Sequence, residues 1–303
     1  MAPPSIQKVV VIINPISGAG RSGEIARRRA ELAAALVEQH RLDAEVFVTE
    51  RRGHAHELAL AARRRGATLV IAWGGDGTVN EVASALVHSD ASLAIVPSGS
   101  GNGLARELGI PLDPTAAFAV ALEGPARLMD AGELDGRLFF NVAGFGLDAR
   151  VAHRFAEVGL ERRGFVRYLE LAAREIVTFT PDEYTITTDG STIQAFPLVV
   201  AIANARQYGN GALIAPNARI DDGKIDVIVV NHRSLWQVAR HVRKLFSGAL
   251  AQVPGVSMTP AVSVGISSAA PLVYHIDGEP HIGGLFVNAR VRPAALRVAT
   301  SIR

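Results

Sequence analysis

Apolar positions follow two regimes along this chain. Over the first 127 residues, short unbroken apolar runs alternate with longer segments of helical period. Val9-Val10-Val11-Ile12-Ile13 is a β-branched run of the kind buried on both faces of a parallel sheet. Ala44 to Thr49, Leu69 to Trp73 and Leu93 to Val96 read as further strands. Between them, Ser22 to Gln39 carries Ile25, Leu32, Leu36 and Val37 on one stripe, Gly53 to Arg65 is rich in Ala, and both read as helices; another starts from Leu104. Strands alternating with helices predict a doubly wound α/β domain. From Leu128 the pattern changes to short extended segments at 138–142, 184–188, 196–203, 225–230, 262–266 and 285–291. Gly, Pro, Asn and Asp clusters punctuate them, and helical stretches interrupt near 149–178 and 235–250. The expected organisation is therefore an N-terminal α/β domain over 1–127 and a C-terminal, mainly β domain over 128–293. The tail 294–303 is β-prone and is open to a return to the first domain.

Three polar, Gly-rich turns follow strands of the first domain: Asn14 to Gly20, Gly74 to Thr78 and Pro97 to Gly103. Ligands of open α/β sheets bind beyond the carboxyl ends of the strands, so the three turns can converge on one site. The central turn, in Val70 to Glu81, joins an apolar strand to a helix start through Gly74, Gly75 and Gly77. Glycines admit an anion close to the backbone, and a helix N-terminus offers unpaired N–H groups and partial positive charge. Asp76 in the middle of such a site repels phosphate unless a cation sits between them. That pattern points to Mg²⁺ with a nucleoside triphosphate. The plain alternative is a βα turn that uses Gly only for tightness.

Composition narrows the field. A chain of 303 residues with 49% hydrophobic and 20% charged residues is globular, with a large core. A net charge of +2 is too small an excess to indicate nucleic acid, and the absence of cysteine excludes disulfides, Cys-zinc sites and Cys nucleophiles. No signal-peptide pattern opens the chain. Residues 247–276 lack Asp, Glu, Lys and Arg, but Pro254, Pro260 and Pro271 make them strands and turns rather than a spanning helix. A cytoplasmic location is expected.

Asn14-Pro15-x-Ser17-Gly18 and Gly74-Gly75-Asp76-Gly77-Thr78 resemble motifs of the diacylglycerol kinase catalytic-domain family, which includes bacterial soluble lipid kinases and sphingosine kinases. Pro97 to Arg106, Phe140 to Ala149, Ala215-Pro216 through Asp226, and Asp277-Gly278-Glu279 resemble its later segments in order, over nearly the whole chain. The resemblance implies a nucleotide-binding α/β domain plus a β-sandwich-like domain, with the active site in the cleft between them. It implies that Asn14, Ser17 and Gly18 form the first nucleotide loop, that Thr49 contacts the nucleotide, and that Gly74, Gly75, Asp76, Gly77 and Thr78 cradle the triphosphate of ATP. Asp76 would serve Mg²⁺, Ser100 would stand near the phosphates, and Asp130 would be tied to the metal through water. Glu279 matches the family's general base. Arg219, Asp222 and Lys224 match a structural Mg²⁺ site, the first and last through carbonyl oxygens. Asn102-Gly103 departs from the usual Asn-Asp or Asn-Ala, and His281 is a further departure; both leave the lipid open.

The implied activity is phosphorylation of the hydroxyl of diacylglycerol or a related lipid. Sphingoid-base kinase, NAD kinase and an inactive nucleotide- or lipid-binding protein remain as alternatives. Glu279 has a second reading as a hairpin turn residue and Asp277 as a structural turn residue, while Asp148 reads as a helix cap in preference to a substrate contact. Arg150, Arg154, Arg162, Arg163, Arg167 and Arg174 are mixed with apolar residues, as are Arg240, Arg243 and Lys244. Such segments suit peripheral contact with a membrane that holds the lipid substrate, or equally a solvated helix face. A homodimer is compatible with the sequence.

Overall fold

The computed structural model describes residues 8–16, 23–157, 165–231 and 235–301. The chain forms two compact units, Met1–Met129 with Ala295–Arg303, and Asp130–Ala294.

The first unit is built on parallel strands β1 (Lys8–Ile13), β2 (Asp43–Val48), β3 (Leu69–Gly74) and β4 (Ser92–Pro97), in the order β2-β1-β3-β4. Helices α1 (Gly23–Gln39), α2 (His54–Arg64), α3 (Asp76–Leu86), α4 (Gly103–Glu107) and α5 (Pro114–Glu123) follow the strands. Val9 to Ile13 and Leu69 to Trp73 are buried throughout, as parallel strands covered on both faces require. Ile13 pairs with Trp73, and Gly74 with Pro97. Three strand ends therefore lie level, and their turns leave the sheet at one edge. The sequence reading omitted α5, although Asp113 caps it by accepting the Ala116 N–H at 2.9 Å and Pro114 opens it. Arg297 and Val298 pair in parallel with Ser92 and Leu93 of β4.

The second unit is a sandwich of antiparallel sheets. In chain order its elements are β5 (Ala126–Leu134), β6 (Arg137–Phe139), β7 (Val142–Gly146), α6 (Leu147–Glu157), α7 (Phe165–Thr178), β8 (Tyr184–Thr188), β9 (Ser191–Ala195), β10 (Pro197–Ala203), β11 (Gln207–Gly209), β12 (Ala212–Leu213), β13 (Ile225–Asn231), α8 (Leu235–Ser247), β14 (Val256–Ala261), β15 (Ser263–Ser268), β16 (Val273–Ile276), β17 (Glu279–Ile282) and β18 (Phe286–Ala299), the start of β5 through Met129 and the end of β18 from Ala295 belonging to the first unit. One sheet runs β18-β15-β8-β9 and the other β14-β13-β10-β7-β16-β17. Phe139, Ile186, Ile266 and Val287 meet Phe145, Ile202, Val227 and Ile276 in a shared core. Along β13, Val227 and Val229 enter that core while Ile228 joins a cluster on the opposite face with Leu250 and Val253.

Two expected elements are split. The strand expected over 138–142 becomes the end of β6 and the start of β7, because the N–H groups of residues 140 to 142 turn to the Asp277 carboxylate instead of a ladder. The helical stretch over 149–178 becomes α6 and α7, with 158–164 outside the described residues.

Gly132 pairs with Phe139 in the β5–β6 hairpin, and a Cβ there would enter the Phe139 ring, which is fully buried. Gly132→Ala is expected to destabilise the protein by about 1–3 kcal/mol, the usual range for overpacking. Urea denaturation measures it; an unchanged midpoint would show that the ring yields freely.

Candidate active site

In the first unit the three polar turns are tied to one another by named bonds. The Asn14 side-chain amide donates to Thr78 Oγ1 at 2.8 Å, and the Asn14 N–H donates to the Trp73 carbonyl at 2.8 Å. The Ser98 N–H donates to the Gly74 carbonyl at 2.9 Å. A Cβ on Gly99 would stand 2.6 Å from Gly75 Cα, so only glycines permit these two backbones to approach so closely. That approach brings the start of α4 to Asp76. Its Oδ2 accepts the Asn102 N–H at 2.8 Å and its Oδ1 the Gly103 N–H at 2.6 Å. Asn102, at φ 50°, closes its own turn by accepting the Gly99 N–H and donating to the Gly99 carbonyl, both at 2.8 Å.

The charge of Asp76 was expected to need a cation. The structure supplies two backbone amides as partners of its carboxylate. The donor set fits Mg²⁺, which takes one or two protein carboxylates and completes its shell with water and substrate phosphate. At the start of α3 no side chain caps the helix, and helix-opening N–H groups have no intrahelical partner. An anion would find its donors there. Thr49 is buried directly after β2, with its N–H on the Ile13 carbonyl at 2.8 Å. Ser100 is exposed on the third turn. Ser17 and Gly18 lie outside the described residues. Arg29 was not anticipated: its guanidinium donates to the Asn14 carbonyl at 2.8 Å, and partial burial lowers its pKa from the usual value. Its position on the helix after the first turn was the available signal.

In the second unit Glu279 opens β17 directly after a two-residue turn, Asp277 at φ 47° and Gly278 at φ 85°. The Asp277 carboxylate accepts the N–H groups of Phe140, Asn141 and Val142 at 3.0, 2.9 and 3.0 Å. Asp277 is thus a structural anchor of the turn that carries Glu279. Behind that turn lies a buried polar group that sequence reasoning missed. His275 Nε2 is 3.3 Å from Asp148 Oδ2, and the Tyr208 hydroxyl donates to the same oxygen at 2.7 Å. Asp148 Oδ1 accepts the Ala149 N–H at 2.8 Å. Asp148 stands as the second residue of α6, turned inward, and is more than a helix cap. Burial, then the Asp148 charge, raises the Tyr208 pKa well above the ordinary value, so Tyr208 stays a donor.

Asp130 is buried, with Oδ1 on the Ala294 N–H at 2.7 Å and Oδ2 on the Gly223 N–H at 2.6 Å. The turn it grips holds the other expected metal residues. Asp222 Oδ1 accepts the Lys224 N–H at 3.1 Å, and Arg219 pairs with Asp221 at 3.5 Å. Burial, then the neighbouring Asp222 charge, raises the Asp226 pKa. Among the described residues no three His, Asp or Glu side chains come together as metal ligands. A cation held here would lean on carbonyl oxygens and water, in line with the donor set expected at Arg219 and Lys224.

The basic segments differ in state. On α6 and α7, Arg150 and Arg154 pair with Glu175, and Arg174 pairs with Glu170. Arg162 and Arg163 lie outside the described residues, as does the side chain of Arg167. On α8, Val242 and Phe246 are exposed one turn apart, beside exposed Arg240 and Arg243. Among the described residues no helix is long and apolar enough to cross a membrane.

Comparison with known proteins covers both units. The diacylglycerol kinase catalytic domain family matches residues 8–134, and the YegS C-terminal NAD kinase beta sandwich-like domain family matches residues 141–300. A probable lipid kinase YegS-like protein of Pseudomonas aeruginosa is 34% identical over 288 residues, covering 88% of this chain and 89% of that protein. A diacylglycerol kinase of Mycobacterium tuberculosis is 31% identical over 281 residues, covering 90% and 89%. A crystal structure of a putative diacylglycerol kinase from Bacillus anthracis shares the fold, with a TM-score of 0.80 at 22% identity over 98% of this chain and 96% of that one.

Removing the Asp277 carboxylate leaves three backbone N–H groups without their acceptor and places Ala at positive φ. Asp277→Ala is expected to lose about 2–4 kcal/mol of stability. Asp277→Asn, which tolerates that φ and keeps one acceptor oxygen, should lose less. Equal losses in urea denaturation would refute the anchoring role.

Proposed function

The chain belongs to the diacylglycerol kinase-like family of lipid kinases, and from that premise we propose that it transfers the γ-phosphoryl group of ATP, with Mg²⁺, to the hydroxyl of diacylglycerol or a closely related lipid. The observation that carries this reading is the interlock of the Gly74–Gly75 and Gly99–Gly101 turns around Asp76. It fixes a carboxylate at the start of α3, where helix-opening N–H groups suit phosphate.

The division of labour follows from the donor sets. Backbone N–H groups opening α3 bind phosphate oxygens, and Asn14 with Thr78 holds the first and second turns in register. Asp76 would hold Mg²⁺, which supplies charge neutralisation on the triphosphate. Glu279 takes the proton of the lipid hydroxyl as general base. Ile282, Leu285 and Phe286 are exposed within a few residues of Glu279 and offer an apolar surface to the acyl part of the substrate. Arg219, Asp222 and Lys224, with Asp130 gripping their turn, would hold a structural Mg²⁺. Peripheral membrane contact is assigned to α8, where Val242 and Phe246 stand between basic side chains.

A radiolabelled ATP assay against mixed micelles of diacylglycerol, monoacylglycerol, ceramide and sphingosine, with NAD as a soluble acceptor, tests the substrate class. Label is expected in a glycerolipid, lost on chelation of Mg²⁺, and Glu279→Gln should lower kcat by about 10²–10⁴-fold with ATP binding retained. Label only in sphingosine or only in NAD would reassign the acceptor. For the membrane surface, Val242→Glu with Phe246→Glu is expected to abolish sedimentation with anionic vesicles while leaving activity on dispersed substrate. Undiminished sedimentation would move the contact off α8.

A further inference from the structure

The Asp277-Gly278 turn could stand without help from behind. Two successive residues at positive φ with the sequence Asp-Gly make a self-sufficient hairpin turn, and Ile276 pairs with Glu279 across it. Two buried polar side chains, Asp148 and His275, and the partly buried Tyr208 are nevertheless linked behind it. The Asp148 and His275 side chains are only 9% and 4% exposed. A carboxylate and an imidazole at that depth are costly to keep, and apolar residues of similar size would serve packing better. The surrounding sequence reserves space for them. A Cβ on Gly144 would overlap Asp148 Oδ2 and stand 2.5 Å from His275 Nε2.

The bonds fix the state of His275. The Gly278 N–H donates to His275 Nδ1 at 3.3 Å, so Nδ1 carries no proton. The proton of the neutral ring is on Nε2, which donates to Asp148 Oδ2. Tyr208 donates to that same oxygen, and burial keeps its hydroxyl protonated. The result is a directed series: the Tyr208 and His275 protons point at Asp148, and the free imidazole nitrogen points at the amide that immediately precedes Glu279. The Asp277 carboxylate fastens the first turn residue, and His275 Nδ1 accepts the N–H of the second, Gly278.

We propose that Tyr208, Asp148 and His275 form a positioning device for Glu279, with His275 setting the Gly278 amide and so the direction from which Glu279 meets the acceptor hydroxyl. None of the three touches the reacting atoms. The inference rests on the reading of Glu279 as base.

Kinetics of the full chain with ATP and diacylglycerol micelles test it. The two nitrogens of His275 can be replaced separately. In His275→Asn the side-chain oxygen stands where Nδ1 stood and can still accept the Gly278 N–H. In His275→Gln the amide reaches toward Asp148 but leaves Gly278 without an acceptor. His275→Gln is expected to lower kcat by about 10–100-fold, the range seen when an orienting partner is lost, with KM for ATP unchanged. His275→Asn should keep most of kcat. In a Glu279→Gln background, His275→Gln should lower the residual rate no further. An equal loss in both backgrounds, or a fall in ATP affinity, would reduce the device to general fold support and overturn the proposal. Tyr208→Phe serves if His275→Gln does not fold: a few-fold loss confined to kcat supports the device, and an unchanged kcat overturns it. Should Glu279→Gln alone retain full kcat, the base assignment fails first, and the positioning role falls with it.

Discussion

The first unit depends on one close approach, that of the backbones at Gly75 and Gly99. The contact of the second turn with the third follows from it. Without side chains at these positions, the start of α4 comes within reach of Asp76, and the carboxylate takes two amides from a helix only five residues long. A charge that would oppose phosphate is thereby turned toward α4 and partly satisfied there. The same carboxylate is the one proposed to hold Mg²⁺, so one side chain serves both the turn and the proposed chemistry.

The second unit solves a similar problem with buried side chains. Its two sheets pack through aliphatic and aromatic residues, yet polar groups are placed at the ends of β7, β10 and β16. Asp130 accepts amides from Gly223 and Ala294, and the Asn204 side chain donates to the Asp130 carbonyl at 3.0 Å. Ala294, at φ 48°, adopts a conformation unfavourable for a residue with a Cβ, and the bond to Asp130 helps to hold it there. Asp130 and Ala294 are the first and last residues of this unit, so one carboxylate fastens both places where the chain enters and leaves it.

The α/β half was legible because its signals are local. Val9 to Ile13 announces a buried strand, and the Gly-rich turns at 74–78 and 97–103 stand directly after strands. The sandwich was legible as a class but less so in detail. β6 and β7 read as one strand because their break is made by Asp277, 135 or more residues away. Asp148 read as a helix cap because its partners, Tyr208 and His275, lie 60 and 127 positions along the chain. No spacing rule reaches that far. Gly144 was the one local trace, a residue without a side chain on a buried strand, and its meaning needs the neighbours it makes room for.

Asn102-Gly103 is the dipeptide most prone to chemical ageing, since the glycine nitrogen ordinarily swings onto the asparagine side-chain carbon and expels ammonia. Here the attacking nitrogen is held by Asp76 and the side-chain amide is engaged at both ends by Gly99. The turn that shapes the site is therefore protected from its own sequence. The lifetime of the folded protein as an intact covalent species is tied to the same carboxylate that organises its Gly-rich turns.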